Sequence, residues 1–284
     1  MKNIRHTIII LLFTGVAWPL TEGCKKDNAI ATNNATATTC NRLDKSSTYS
    51  ESDKLREYSY EYNADGTIKA VSGTVAPSYT YKYIYTYENS GRLITEQNTN
   101  NPADKTVFEL NADGYISHLD YVISNGVRKD NYTYDANGFL NTITYEYYKT
   151  GATTPYSKIF ISYDNTVDNG NRVKTIETYK DVTANKTNPP TTHMLEYDIS
   201  KPNYMDIPTP YTDGGLYWHI GKGYQKKSKN LLIKYSSTYA TGEKYQFSYR
   251  PDSKGRLTDV TVSDVSGRPG ASNNGKYSYT YQCN

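Results

Sequence analysis

The chain has 284 residues, with 32 basic and 29 acidic residues and a formal net charge of +3 at pH 7. Basic residues are interspersed rather than gathered on one element, so the charge pattern does not favour nucleic-acid binding. The mean hydropathy is −0.76 and tyrosine outnumbers phenylalanine 31 to 5. These values exclude a chain built from apolar membrane helices.

The first 23 residues have the pattern of a secretory signal peptide. Lys2 and Arg5 form a positive segment, residues 7–20 are apolar, and Gly23-Cys24 supplies the small-residue cleavage site. The apolar run is too short and too interrupted for a membrane span. A cysteine at the cleavage point resembles the lipobox of bacterial lipoproteins. The resemblance implies a lipid on Cys24 and an outer-membrane lipoprotein of the cell envelope, facing the periplasm or the outside; plain secretion is the alternative.

Residues 24–39 are small and polar without periodic apolar positions, which indicates a flexible tether. About 15 such residues reach on the order of 20 Å by random-coil scaling. Residues 40–284 are then one domain with Cys40 and Cys283 near its two ends. In an oxidising compartment these two cysteines are predicted to form a disulfide, and two free thiols are the alternative.

A short phrase recurs along this domain: two alternating aromatic residues, then Asn or Asp, two small polar residues and a glycine. Alternation favours strands, and the Asx residue with a closing glycine favours a hairpin turn. An apolar pair spaced by three residues usually follows the glycine, which predicts a β-bulge in each returning strand. The predicted turn glycines are Gly66, Gly91, Gly114, Gly138, Gly170 and Gly255.

About 15 strands can be assigned between residues 55 and 282, with no convincing helical period. The predicted fold is therefore all-β, an antiparallel hairpin meander curved into an open or closed barrel-like sheet. Tyrosine fills whole strands, as in YTYKYIYTY at 79–87, instead of marking the rims of an aliphatic band. This pattern predicts a soluble sheet and not a membrane-spanning barrel.

The phrase resembles the YD (Rhs-type) repeat of bacterial surface proteins, most closely at Gly91-Arg92-Leu93 and Gly255-Arg256-Leu257. With Cys-Lys-Lys-Asp after the signal and the break at residues 200–233, the chain is similar to Bacteroidota envelope lipoproteins of unknown function with a porin-like β domain. That resemblance implies a β-meander or open barrel and carries no catalytic residues.

The irregular segment 201–232 is the one departure from the hairpin pattern. Tyr217, Trp218 and His219 lie in it and are candidate binding residues, because rigid, half-polar rings suit sugars or peptides. The alternative is a plug over one end of the sheet, with Trp218 in the core mouth. The excess of tyrosine likewise has two interpretations, rings that pack with wet hydroxyls or an exposed ladder that captures a glycan.

No catalytic motif is present, and the sparse histidines and cysteines are not spaced for a metal. We therefore expect no cofactor, no metal and no enzyme activity. The leading hypothesis is a lipid-anchored envelope protein that binds a glycan, a peptide or another envelope protein, or serves a structural role. The alternative is a secreted, glycosidase-like hydrolase whose acids converge inside the curved sheet.

Overall fold

The computed structural model describes residues 42–50, 56–75, 79–123, 126–203, 223, 226–239, 242–267 and 274–282. They form seventeen strands and one 3-10 turn at Asn89–Gly91. No helix in these ranges is long and apolar enough to cross a membrane. The strands are β1 (Arg42–Ser50), β2 (Arg56–Tyr62), β3 (Ile68–Val75), β4 (Tyr79–Glu88), β5 (Leu93–Asn98), β6 (Lys105–Leu110), β7 (Ile116–Ile123), β8 (Gly126–Tyr134), β9 (Leu140–Lys149), β10 (Ser157–Asp168), β11 (Asn171–Asp181), β12 (Lys186–Thr187), β13 (Thr191–Pro202), β14 (Asn230–Ser237), β15 (Lys244–Pro251), β16 (Leu257–Asp264) and β17 (Gly275–Gln282).

The sheet closes on itself. Each strand except β12 pairs antiparallel with the next one along the chain, β11 also pairs with β13, and the last strand, β17, pairs with β1. The two-residue β12 pairs with β11 alone, so sixteen strands form the closed barrel and β12 is an addition. The predicted all-β antiparallel meander is confirmed, and of the open and closed forms the barrel takes the closed one.

The two ends of the barrel differ, and we name them by their contents. The corner end holds the glycine turns that follow β2, β4, β6, β8, β10 and β15, together with the first residue of β1 and the last of β17. The mouth end holds the alternate connections, such as those between β3 and β4 and between β9 and β10. The repeated phrase therefore builds one end of the molecule only.

The corner at Asp135–Gly138 shows why the phrase turns the chain. The Asp135 carbonyl accepts a hydrogen bond from the Gly138 N–H at 2.9 Å, and the Asp135 carboxylate accepts from the Asn137 and Phe139 amides at 2.8 and 3.0 Å. Gly138 has φ +84°, a value that a Cβ atom disfavours. All six glycines assigned to turns have positive φ, between +79° and +92°.

A register shift follows five of these glycines. In the strand that returns from each of these corners, one residue has no partner on the preceding strand, which is the expected bulge. The corners concerned are Gly66, Gly114, Gly138, Gly170 and Gly255. In four copies the apolar pair assigned from the sequence is buried, as with Ile68 and Val71.

The copy after Gly170 corrects the sequence assignment. Val173 and Ile176 are the apolar pair that follows this glycine in the sequence, but both are only half-buried, and the buried residues are Arg172 and Thr175. These two occupy the same positions after the glycine, the second and the fifth, as the apolar pairs of the other copies. In this copy a polar pair occupies the inward positions that apolar residues occupy in the other copies. The hydropathy of the sequence therefore pointed to the residues one position too far along the chain.

Tyrosine hydroxyls satisfy the backbone at these bulges. Tyr87 donates to the carbonyl oxygen of Ile68 at 2.8 Å, and Tyr281 donates to that of Leu257 at 2.7 Å. Where a stretched copy lacks the tyrosine at this position, the Asn165 amide donates to Leu140 instead, at 2.8 Å. The remaining bonds of this type are Tyr62 to Leu43, Tyr134 to Ile116, Tyr197 to Arg172 and Tyr249 to Leu232.

The described residues of the segment between β13 and β14 lie along the rim of the corner end. These residues, 223 and 226–229, are here called the strap. The Gly223 carbonyl accepts from the Ile116 amide, while the amides of Lys226 and Lys229 donate to the carbonyls of Gly138 and Gly170, at distances of 2.8–3.1 Å. The strap therefore ties the turns after β8 and β10 to β7. Residues 201–202 and 230–232, assigned to the irregular segment from the sequence, belong to β13 and β14.

Candidate functional site

The outer face of the barrel is polar. Ion pairs join the neighbouring strands β9 and β10 through Lys158 and Glu146 at 2.6 Å, and β13 and β14 through Lys234 and Glu196 at 2.8 Å. Lys82 on β4 reaches across β3 to Glu61 on β2, also at 2.6 Å. Among the described residues, the exposed large hydrophobic side chains are scattered over several strands and loops. Such a face is suited to contact with water.

The inner face is divided into a filled half and an open half. From β14 through β17 to β3, tyrosines and aliphatic residues are buried along the barrel and form a close-packed core. Tyr245, Tyr277 and Tyr58 are buried even though they lie toward the mouth end. This half leaves no room at those positions for a ligand.

From β4 to β13 the inner face opens at the mouth end. Along β4, exposure falls from 62% at Tyr79 through half-buried Tyr81 and Tyr83 to 6% at Tyr85. Along β9 the same gradient runs from half-buried Tyr147 inward to buried Ile143. We call this recess the cup. Its wall consists of the inward-facing side chains Tyr79, Tyr81, Tyr83, Tyr121, Arg128, Tyr145, Tyr147, Tyr163, Glu177, Tyr179 and His193.

Arg128 on β8 is held inside the cup by aromatic rings and one carboxylate. Its guanidinium lies 5.7 Å from the centre of the Tyr121 ring and 5.4 Å from that of Tyr145. It also donates to Asp130 Oδ2 at 2.9 Å, and the Tyr132 hydroxyl donates to the same oxygen at 3.1 Å. The Arg128 side chain remains 29% exposed, whereas that of Asp130 is 0% exposed. Arg128 thus presents charge to the cup and Asp130 supports it from behind.

Burial raises the pKa of the Asp130 carboxyl to about 6. The positive charge of Arg128 and the hydrogen bonds from Arg128 and Tyr132 act in the opposite direction and limit the rise. Near neutral pH the Arg128–Asp130 pair therefore carries almost no net charge.

A second polar group lies on β11, β13 and β14. His193 Nδ1 is 2.8 Å from the Tyr235 hydroxyl, and the two rings stack with centroids 5.8 Å apart. His193 Nε2 lies 3.6 Å from Glu177 Oε2, and the two side chains are 17% and 32% exposed.

Tyr163 on β10 lies near Glu177. Burial, together with the charge of Glu177, raises the pKa of the Tyr163 hydroxyl well above its usual value, so this hydroxyl stays protonated.

Several polar atoms of the cup have no hydrogen-bond partner within the described part of the chain. They are Arg128 Nε, Asp130 Oδ1 and His193 Nε2. Buried polar atoms are usually satisfied by protein, water or a bound molecule, so these three mark unfilled bonding capacity. Within the same ranges, no group of three or more His, Cys, Asp or Glu side chains is placed to hold a metal ion.

The binding residues proposed from the sequence are not among the described residues, so that proposal stays a prediction. Tyr217, Trp218 and His219 lie outside the described residues, as do Cys24, Cys40 and Cys283. The six turn glycines lie at the corner end, away from the cup.

The sequence patterns did not identify Arg128, Asp130, Glu177 and His193 as site residues. The signal was present in GVRKDNYTY at 126–134, where Arg128 and Asp130 alternate in phase with Tyr132 and Tyr134 and therefore share their face. Charged residues in phase with inward tyrosines indicate a polar interior.

Comparison with solved structures places the barrel among known folds. A porin-like protein from Bacteroides uniformis matches with a TM-score of 0.60 and 17% identity, covering 87% of this chain and 99% of its own. A porin-like protein from Bacteroides vulgatus matches with a TM-score of 0.56 and 13% identity, covering 85% of this chain and 98% of its own. No protein-family model and no curated protein matches the sequence. The chain therefore shares the fold of Bacteroides porin-like proteins.

Proposed function

We propose that the protein is a cell-envelope β-barrel, anchored by a lipid on Cys24, that acts by binding a ligand in its cup. The observation that carries this proposal is the recess of half-exposed tyrosines around Arg128, Glu177 and His193. Rigid aromatic faces with a few convergent polar groups are typical of binding sites.

The polar outer face of the barrel supports anchoring through the tether and not through a wall embedded in the membrane. A barrel that spans a membrane needs an apolar band about 25 Å tall on its outside. Here cross-strand ion pairs such as Lys82–Glu61 and Lys158–Glu146 occupy that face. Removing these ion pairs from water would cost several kcal/mol of desolvation per ion, so we propose that the wall stands in water.

The porin-like neighbours raise the possibility of a pore. Two features weigh against an open channel through this barrel. Close-packed residues such as Tyr245 and Val262 fill the half from β14 to β3, and the strap adds further residues along the rim of the corner end. A recess open at one end fits capture of a ligand better than passage.

The hydrolase alternative gains no support from the cup. Its most perturbed carboxyl, Asp130, is fully buried behind Arg128 and bonded to it at 2.9 Å. A general acid must come within hydrogen-bond reach of the substrate, which this position prevents.

Membrane fractionation of cells that express the full chain tests the anchor. The wild type should sediment with membranes and resist high salt, while Cys24→Ser should move to the soluble fraction. If Cys24→Ser stayed in the membrane through a carbonate wash, the barrel itself would be embedded and the proposal would be wrong.

A glycan and peptide array on the full-length protein tests binding. Tyr147→Ala lies in the cup and Trp218→Ala in the segment between β13 and β14, so the two variants separate the two candidate sites. Loss of binding in Tyr147→Ala alone supports the cup, and loss in Trp218→Ala alone moves the site to the segment. Absence of any binding would contradict a binding role.

A further inference from the structure

We propose that the ligand of the cup is a neutral oligosaccharide. This inference rests on the proposed binding function and makes it specific. It follows from the space in the barrel, the arrangement of rings, the balance of charge and the lack of a free strand edge.

Space comes from the number of strands. Barrels of eight strands are filled by their own side chains, whereas barrels of sixteen strands are wide enough to leave room. In this barrel the room remains in the half from β4 to β13, as the partial exposure of Tyr83, Tyr147 and Glu177 shows. A chain of several sugar rings can enter there from the mouth end.

The rings form a ladder that leads inward. Tyr79, Tyr81 and Tyr83 succeed one another along β4 with centroids 5.9 and 5.4 Å apart. Further round the wall, Tyr147 lies 6.3 Å from Tyr156, which is 53% exposed at the mouth. The Tyr79 and Tyr81 rings are inclined at 41° and the Tyr81 and Tyr83 rings at 67°, so the row offers both ring faces and ring edges. Ring faces suit the apolar C–H faces of sugars, and the phenolic hydroxyls suit the sugar hydroxyls.

The arginine of the cup is already paired, because Arg128 donates to Asp130 at 2.9 Å. A strongly anionic polymer would have to compete with Asp130 for Arg128 and would also meet the Glu177 carboxylate, which is 32% exposed, so anionic polymers are disfavoured.

Sugar hydroxyls both donate and accept, so they match the mixed polar groups of the cup. Arg128 Nε is a donor without a hydrogen-bond partner in the described residues, and the Glu177 carboxylate, 32% exposed, is an acceptor. A rotation of the partly exposed Arg128 side chain would bring its Nε within reach of a hydroxyl.

A peptide lacks its usual mode of docking on this fold. Extended peptides bind sheets by adding a strand to a free edge. In the described barrel every strand except the two-residue β12 has a neighbour on both sides, so no inner edge is available. A peptide would have to bind through side chains alone.

Isothermal titration calorimetry on the detergent-solubilised, full-length mature protein tests the assignment. The neutral probes are maltohexaose, cellohexaose, xylohexaose and chitohexaose; the comparison probes are hexagalacturonate and a mixture of uncharged twelve-residue peptides. The variants are Tyr79→Ala, Tyr147→Ala and Arg128→Lys. Tyr148→Ala is the matched control, because Tyr148 adjoins Tyr147 on β9 but bonds Glu146 on the outer face.

We expect at least one neutral hexasaccharide to bind, and we expect Tyr79→Ala and Tyr147→Ala each to weaken it roughly fivefold to tenfold. Tyr148→Ala should leave its affinity unchanged within twofold. Each variant is also compared with the wild type by thermal melting, so that a folding defect is recognised and the cup is then probed with Tyr147→Phe and Tyr83→Phe.

The outcomes separate this inference from the function on which it rests. If hexagalacturonate or the peptides bind in a Tyr147-dependent manner and no neutral sugar does, the cup binds ligands but the neutral-sugar assignment is wrong. If neutral sugars bind equally well to all variants, the site is not the cup. If no probe binds, both proposals fail.

Discussion

At the residue scale, the abundance of tyrosine over phenylalanine has a structural explanation. A β-bulge leaves a backbone carbonyl without its ladder partner, and a buried unpaired carbonyl is costly. The hydroxyl of a tyrosine about one repeat further along the chain donates to this carbonyl, as Tyr87 does to Ile68 and Tyr281 to Leu257. Phenylalanine fills the same space but cannot donate.

Replacing Tyr87 with phenylalanine tests this role. Because the buried Ile68 carbonyl would lose its donor, Tyr87→Phe should lower the free energy of unfolding by about 1–3 kcal/mol in urea titrations. Tyr83→Phe on the same strand is the control, since within the described residues no backbone acceptor lies opposite its hydroxyl, and it should cost less than about 0.5 kcal/mol. Equal effects of the two variants would contradict the bulge explanation.

Asp130 should make stability depend on pH. Its folded pKa of about 6 is raised above the roughly 3.9 of an unfolded aspartate, so the folded state binds the proton more tightly. The stabilisation from this group is complete below about pH 4 and is lost as pH rises through 6.

The expected result is that the difference in unfolding free energy between the wild type and Asp130→Asn changes by roughly 2–3 kcal/mol between pH 4 and pH 7, in favour of the variant at the higher pH. Urea unfolding at several pH values measures it. Asp164→Asn on the exposed outer face is the control for removal of a carboxylate. A difference that does not vary with pH for Asp130→Asn would show that this carboxyl is not perturbed.

The sequence could not give the tyrosine role. The two interpretations of the tyrosine excess were packed rings with hydroxyls in water and an exposed ladder of rings. Both follow from the pattern within a single strand. The actual acceptor of Tyr62 or Tyr87 lies 19 residues earlier, on a neighbouring strand. Only the register of the two hairpins brings donor and acceptor together.

At the element scale, the hairpin at β4 and β5 shows how the repeats depend on one another. It has a glycine corner, Gly91, but its register is regular and it has no bulge. The next copy along the chain carries Leu110 where most copies carry tyrosine, so it has no hydroxyl to offer. The corner without a bulge is thus followed by the copy without a tyrosine. This supports the view that each bulge depends on the tyrosine of the next copy. The turn positions could be predicted from each copy of the repeat by itself. The dependence of a bulge on the next copy is visible only when two paired copies are seen in the structure.

The strap can be tested through Ser228. Its hydroxyl accepts from the Arg172 amide at 3.1 Å and donates to the Tyr197 hydroxyl at 2.9 Å, in a buried position. Ser228→Ala should leave the Arg172 amide unsatisfied and reduce stability by about 1–3 kcal/mol.

Hydrogen exchange provides the local measurement. In Ser228→Ala the amides of Arg172, Lys226 and Lys229 should exchange faster, while that of Arg92, in the corner between β4 and β5, should not. Uniform acceleration at all four amides would indicate global destabilisation instead of a loosened strap.

At the scale of the whole molecule, the seam between β1 and β17 decides whether the sheet is a barrel. Residues Arg42 and Gln282 are paired there, although they are 240 positions apart. Curvature and strand number could be predicted from local patterns, but closure could not, because no local pattern specifies a contact between the two ends of a domain.

The predicted disulfide would reinforce this seam. Cys40 and Cys283 lie outside the described residues, but each comes within two positions of the Arg42–Gln282 pair. Thiol titration of the denatured, unreduced mature protein should find neither cysteine reactive. Cys40→Ser, Cys283→Ser and the double variant should lose similar stability, roughly 2–5 kcal/mol. Two reactive thiols, or additive losses in the double variant, would contradict the pairing.

With the proposed lipid on Cys24, the paired chain ends would determine which way the barrel points. Since β1 begins at the corner end, the tether of residues 24–39 would attach there, and a lipid on Cys24 would lie beyond it. The corner end would then hang within about 20 Å of the bilayer, and the cup would look away from it. A polymer arriving from the aqueous side would meet Tyr79 and Tyr156 first, without having to pass between the barrel and the lipid surface.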